Sequence, residues 1–263
     1  MIQAMKPFEL LRKHSRIIGA MILRETTTRY GREGLGFLWV VGEPLLFCGV
    51  VLIMWSIIKP EYEHGIRLGP FVMSGYMCLI LLRHTIGFLI SAVQANGGLL
   101  YHRQIKVLHI FVSRVLLEFF GTTAAFVVVY IALAVLGQIG LPADFLKLYG
   151  GWLILGGMAT GMALILAALS MRSELMERLV PVLNYAMIPI SGAFFMIGWL
   201  PASVRDMILW IPFPNAVEML RDGLFGEFVP TYYSVSYALI CMVLMNFLGL
   251  LLVATLGDLT DVE

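Results

Sequence analysis

Six stretches of this chain are each long and apolar enough to cross a lipid bilayer, and few folds survive that constraint. The hydrocarbon layer is about 30 Å thick, and a helix rising about 1.5 Å per residue needs roughly 20 apolar residues to cross it. Stretches 36–58, 71–93, 110–136, 149–169, 179–199 and 233–256 meet that length. In hydrocarbon the backbone finds no water, and a helix satisfies its own amides and carbonyls. Composition agrees. Of 263 residues, 60% are hydrophobic and 13% are charged, where a soluble chain carries about 25% charged residues. So little charge cannot cover a soluble surface. The expected fold is an all-α integral membrane protein with six transmembrane helices. Residues 1–35 form an N-terminal segment, 36–257 the membrane domain and 258–263 a short tail.

The Lys and Arg residues set an orientation, because cytoplasmic loops carry the excess. Six spans place both termini on one side. That side collects Lys6, Arg12, Lys13, Arg16, Arg24, Arg29, Arg32, Arg103, Lys106, Arg172 and Arg178, with Arg114 just inside the third span. The other side holds Lys59, Arg67, Lys147, Arg205 and Arg221. Both termini are therefore expected in the cytoplasm. No apolar run in the first 36 residues suits a cleavable signal peptide.

Two segments outside the spans have their own pattern. Across 6–33, Phe8, Leu11, Ile18 and Ile22 recur at roughly helical spacing, with Arg12, Lys13 and Arg16 among them. Such a helix lies in the membrane interface, its basic side near anionic headgroups. Residues 200–228 carry two short helical patterns, too short to span. The first starts after Pro201 and breaks at Pro212 and Pro214; Asn215 with Glu218 resembles a capping box opening the second. Both are expected to re-enter the outer interface.

Catalytic chemistry is not visible. There is no GxxxxGK[ST] loop to cradle nucleotide phosphates and no HExxH, and the five histidines are scattered. Cys48, Cys78 and Cys241 sit in apolar runs without a CxxC pair and read as buried thiols. No metal, cofactor or nucleic acid is expected on this chain. Ionisable residues within spans mark function by default. Arg83 and His84 lie in the second span, and Arg114 and Glu118 stand at i,i+4 in the third, where they can pair. Glu43 needs a partner or water, and Pro44, Pro181 and Pro189 mark bends.

The motifs together are similar to those of polysaccharide-exporting ABC permeases. The resemblance rests on Leu23-Arg24-Glu25, Arg29-Tyr30-Gly31, Leu35 to Trp39 and Glu43-Pro44. Further stretches are Gln94 to Leu99 with Arg114 and Leu116 to Glu118, then Arg172-Ser173-Glu174, and Leu209 to Pro212 with Glu218 and Arg221. It covers about residues 8 to 257.

This resemblance implies a homodimer of six-span subunits in the inner membrane of a Gram-negative bacterium, working with two copies of a separate ATPase that binds ATP and Mg2+. The cargo would be a lipid-linked, usually acidic, capsular polysaccharide, handed to a periplasmic co-polymerase-type adaptor and an outer-membrane exporter. Asn96, Gly97, Leu99, Tyr101, Arg103 and Lys106 would belong to the coupling loop docking on the ATPase. Trp210, Pro212, Asn215, Glu218 and Arg221 would belong to periplasmic gate helices. Arg24, Arg29, Arg32, Arg83 and His84 would steer the anionic cargo, and its sugars would slide past Tyr30, Phe37, Trp39 and Tyr185. Thr26-Thr27-Thr28 stand where related permeases often carry another basic residue, and Arg83 falls on no family motif. Rival readings are an exporter of O-antigen, teichoic-type polymer, lipid or drug, an ATP-independent secondary carrier, and a membrane-embedded enzyme.

Overall fold

The computed structural model describes residues 7–30, 36–92, 95–96, 98, 105–226 and 230–256. The elements are α1 (Pro7–Tyr30), α2 (Gly36–Ile58), a two-residue ladder β1 (Tyr62–Glu63) and β2 (Ile66–Arg67), α3 (Leu68–Ile90), α4 (Val107–Val135), α5 (Phe145–Ser170), α6 (Glu174–Ile190), a 3-10 turn (Ile197–Trp199), α7 (Ala202–Leu209), α8 (Pro212–Phe225) and α9 (Val235–Ala254). β1 and β2 pair antiparallel, Tyr62 with Arg67 and Glu63 with Ile66. The tight turn between them places His64 and Gly65 at positive φ.

Among the described residues, five helices are long and apolar enough to cross a membrane: α2 from Leu38 onward, α3, α4, α5 and α9. The expected fifth span is different. Its helix, α6, has 17 residues and holds Pro181 and Pro189. The chain turns at Gly192, where φ is 78°, and continues irregularly to Trp199. Ser191 caps the helix and the positive-φ Gly192 follows it, the glycine stop of a helix end. By contrast α2 runs unbroken through Pro44.

Helices α3 and α5 form the centre, while α2 and α9 expose most of their apolar surface. Lipid is as apolar as leucine, so close van der Waals fit must hold the centre together. Glycines supply that fit. A Cβ at Gly151 of α5 would stand 2.6 Å from the Leu220 amide of α8, and one at Gly161 would stand 2.8 Å from the Asn246 amide of α9. Asn246 Nδ2 then donates to the Gly157 carbonyl at 2.8 Å.

The second short helix of the 200–228 segment departs from expectation. Its N-cap is Ile211, with no side-chain cap, so Asn215 and Glu218 lie inside the helix and make no capping box. The prolines explain the shift: Pro212 and Pro214 occupy the first turn, where amides lack intrahelical partners in any case. Residues Phe213 to Leu224 are all buried in protein, whereas α7 buries none of its residues.

Candidate functional site

One polar patch lies along the C-terminal half of α3. A cavity of about 460 Å³ is lined by Glu43 and Phe47 of α2, Tyr76, Arg83, His84 and Ser91 on or just after α3, and Asn184 of α6. The Arg83 guanidinium lies 4.9 Å from the centre of the Tyr185 ring, a cation–π contact. Asn184 Nδ2 donates to the Arg83 carbonyl at 3.3 Å. Arg83 Nε and Asn184 Oδ1 are buried without a hydrogen-bond partner among the described residues. Two of the sequence-derived path residues, Arg83 and His84, therefore line one cavity, and a third, Tyr185, packs against Arg83. Glu43, which had no assigned partner, shares that cavity.

A chain of buried polar groups leads from this cavity to α1. His84 Nδ1 stands 3.7 Å from Glu118 Oε2. Arg114, one turn before Glu118, places Nη2 3.2 Å from Glu25 Oε1 of α1. Its Nη1 donates to the Phe88 carbonyl at 2.5 Å and to Ser91 Oγ at 3.3 Å, so a cation sits on the last turn of α3. Asn96 Nδ2 donates to Glu25 Oε1 at 2.8 Å and to the Ala92 carbonyl at 2.9 Å. Arg24 Nη1 donates to Asn96 Oδ1 at 2.5 Å. Arg114 and Glu118, one turn apart, each reach a neighbouring helix: Arg114 pairs with Glu25 of α1, and Glu118 faces His84 of α3. A second link joins α1 to the start of α4. The Lys106 amide donates to His109 Nδ1 at 3.0 Å, leaving His109 Nε2 2.7 Å from His14 Nδ1.

The N-terminal end of α3 meets a second hub, on α8. Arg221 is fully buried. Its guanidinium donates to the Gly192, Phe195 and Ala193 carbonyls at 2.9, 2.6 and 2.7 Å, and to Ser74 Oγ at 3.3 Å. It also lies over the Phe71 ring and 3.8 Å from Glu218. Glu218 accepts from the Ile197 amide at 3.1 Å and the Tyr232 amide at 3.4 Å. Asn215 bonds the Leu209 and Ile211 carbonyls and the Ser234 amide. Lys147 Nζ lies 2.7 Å from Asp222 Oδ2, and the Tyr233 hydroxyl donates to the same atom at 2.6 Å. Burial pushes the Asp222 carboxyl up, but Lys147 and Tyr233 outweigh it and hold the group below its ordinary range. Four polar side chains of one helix thus pin the loops on either side of it.

Other sequence-derived residues scatter. Trp39 and Trp210 are exposed, 52% and 79%, and Tyr237 donates its hydroxyl to the Trp210 carbonyl. Pro212 begins α8. Arg32, Gly97, Leu99, Tyr101 and Arg103 fall outside the described residues, as do the side chains of Arg29, Tyr30 and Phe37. Arg172 Nη2 bonds the Leu252 carbonyl at 3.1 Å and Thr255 Oγ1, which fastens the end of α9. Sequence reasoning assigned no role to Glu25, Asn184, His14 or His109. Asn184 carried a usable signal, since an amide within an apolar stretch needs a partner.

Long apolar helices enclosing a charged cavity, with buried ion pairs running from it, define a membrane-embedded transport protein. The chain belongs to the ABC-2 type transporter family, which matches residues 16–225. Its relatives include the capsule polysaccharide export inner-membrane protein CtrC of Neisseria meningitidis, 36% identical over 94% of this chain and 93% of the relative. BexB of Haemophilus influenzae, named as another capsule polysaccharide export inner-membrane protein, is 34% identical over 90% of each chain. The polysialic acid transport protein KpsM of Escherichia coli is 25% identical over 90% of this chain and 92% of the relative.

Proposed function

We propose that this chain is the membrane permease of an exporter that moves lipid-linked capsular polysaccharide from the cytoplasm across the inner membrane. The observation that carries this reading is the end-to-end similarity to CtrC, whose name states capsule polysaccharide export. The energy comes from ATP and Mg2+ on two copies of a separate ATPase, and this chain itself is not an enzyme. It works as a homodimer, with both termini in the cytoplasm. A periplasmic adaptor and an outer-membrane exporter receive the polymer.

In this reading α6 and the segment to Trp199 make the sixth crossing. Seventeen helical residues cover about 25 Å, and the irregular continuation, bound to Arg221 and Glu218, completes the path. Helices α2 and α6 flank the charged cavity and part when the ATPases close. The coupling segment holding Asn96, Gly97, Leu99, Tyr101, Arg103 and Lys106 receives the stroke. Asn96 passes it to Glu25 and Arg114, and so to the end of α3. Helices α7 and α8, with Trp210, Pro212, Asn215, Glu218 and Arg221, form the outer gate, α7 as its outward-facing member. Arg24, Arg29, Arg32, Arg83 and His84 steer the acidic polymer past Tyr30, Phe37, Trp39 and Tyr185.

Purification in mild detergent tests this. A copurifying ATPase whose nucleotide hydrolysis depends on the assembled complex supports the reading. Nucleotide hydrolysis or glycan transport by this chain alone contradicts it.

A further inference from the structure

We infer that His14 and His109 form a proton-operated clasp between α1 and the start of α4, closed while both imidazoles are neutral and opened by acidification. Its effect on coupling rests on the export reading; the clasp does not. One backbone amide fixes both tautomers. The Lys106 amide donates to His109 Nδ1 at 3.0 Å, so that nitrogen carries no proton. The neutral ring then holds its proton on Nε2, which stands 2.7 Å from His14 Nδ1. His109 donates there and His14 accepts, with its own proton on Nε2. A single line of hydrogen bonds thus runs from Lys106 through both rings to α1.

That line has no place for another proton. A proton on His14 Nδ1 meets the Nε2–H of His109. If His109 moves its proton to Nδ1 instead, it meets the Lys106 amide and loses its role as the cap of α4. Either way one of the two bonds becomes donor against donor. The surroundings do not welcome the added charge. His109 is 6% exposed, faces Lys106 and sits at a helix N-terminus, where a cation is disfavoured. On α1 the positions that share a face with His14 are Leu10, Leu11, Ile17 and Ile18, all apolar. Arg12, Lys13 and Arg16 add only positive charge, and Glu9 is off that face. On the packed helices Glu25 pairs with Arg114, Glu118 faces His84, and Glu43 lines the α2–α3–α6 cavity. The open form therefore binds more protons than the closed one. Closure is favoured at high pH and lost as pH falls through the imidazole range, about pH 8 to 5. Lys106 ends the segment that receives the ATPase stroke. Opening frees the first half of α1 from it, while Glu25 keeps the second half in place, so coupling weakens in an acidified cytoplasm.

The test uses the full-length permease in lipid nanodiscs. Histidine nitrogen NMR reads the rings, and His14→Asn and His109→Asn assign the two signals. At about pH 8 both Nδ1 atoms should be unprotonated, and the pair should lose that pattern by about pH 5. Hydrogen exchange, divided by the rate of an unstructured chain at the same pH, reads α1. Protection of residues 7–18 should fall about two- to tenfold over that range, the scale of one net hydrogen bond. Residues 20–26, held through Glu25, should stay protected and show that each variant is folded. His109→Asn keeps an acceptor for the Lys106 amide but offers His14 no donor, and should show the low protection at both pH values. His14→Asn keeps an acceptor that takes no proton, and should lessen the fall. A protonated His109 Nδ1 at pH 8, wild-type protection that ignores pH, or an equal fall in His109→Asn overturns the proposal. A clasp that titrates in a chain without export contradicts the export reading alone; export with a clasp that does not titrate contradicts this proposal alone.

Discussion

Glu25 of α1 and Arg114 of α4 form an ion pair at 3.2 Å, with both side chains almost wholly buried. Each has a second obligation. Glu25 also accepts from Asn96, and Arg114 also holds the Phe88 carbonyl at the end of α3. Three helices therefore meet on two charges. Breaking one side of a buried pair strands the other charge and costs about 3–5 kcal/mol.

From this, Glu25→Gln is expected to lower the thermal stability of the detergent-solubilised protein, and Arg114→Gln more so, because it also releases the end of α3. The Glu25→Gln/Arg114→Gln double variant should lose less than the sum of the two. Additive losses in a double-mutant cycle would show that the pair is not energetically coupled.

Arg221 predicts a sharper effect on α8. Its fork satisfies three carbonyls of the 192–195 turn and Ser74 at once. A lysine supplies a point charge with no such fork. Arg221→Lys should therefore be strongly destabilising rather than conservative, by roughly 2 kcal/mol or more on the scale of unmatched buried acceptors. Limited proteolysis between 190 and 212 reads the loss, and an unchanged cleavage rate would deny the role.

Close packing on α5 gives a steric prediction with an internal control. Gly151→Val drives a side chain into the α8 backbone at Leu220 and Ala216, while nothing stands within 4 Å of a Cβ at Gly49. Gly151→Val should abolish the folded protein in membranes. Gly49→Ala should be accepted, with a small gain from better helix propensity.

Asp222 gives a pH prediction. Its carboxyl is held below its ordinary range by Lys147 and Tyr233, against the opposing push of burial. A depressed folded value stabilises the fold above the ordinary carboxylate pKa of about 3.9. The stabilisation fades as pH falls through the depressed value. Asp222→Asn should thus be less stable at neutral pH, and the difference from wild type should shrink as pH falls below about 4. A difference that stays constant on acidification would contradict the assignment.

Much of this architecture was legible in the sequence because membrane crossing depends on length and apolarity, which are local properties. The first span was expected at 36–58 and α2 has those bounds; the ends of α3 differ by three residues at each side. The 179–199 stretch differs from its expected form because its apolar run continues where the helix does not. Hydropathy registers Ile190 to Trp199 as more membrane-like chain, but the positive-φ Gly192 stops the helix. Asn215 and Glu218 had the right spacing for a cap, yet the local signal of two prolines one turn earlier was the stronger one. The partners of Arg114 and Arg221 could not be read at all. Apart from Glu218, one turn before Arg221, those hydrogen bonds and ion pairs join residues 23 to 147 positions apart, and no local pattern encodes them. Arg83 and His84 stood out because charge within an apolar stretch is expensive. Glu43 and Asn184 joined them only once α2 and α6 were placed on either side of α3.

Where the polymer accumulates tests the central claim most directly. The gene for this chain is deleted in its own host, and capsular glycan is quantified at the cell surface and in the cytoplasm. The account predicts that surface polymer disappears while polymer builds up inside, and that the wild-type chain restores export only when its ATPase is present. Normal surface polymer after deletion, or rescue without any ATPase, would contradict it.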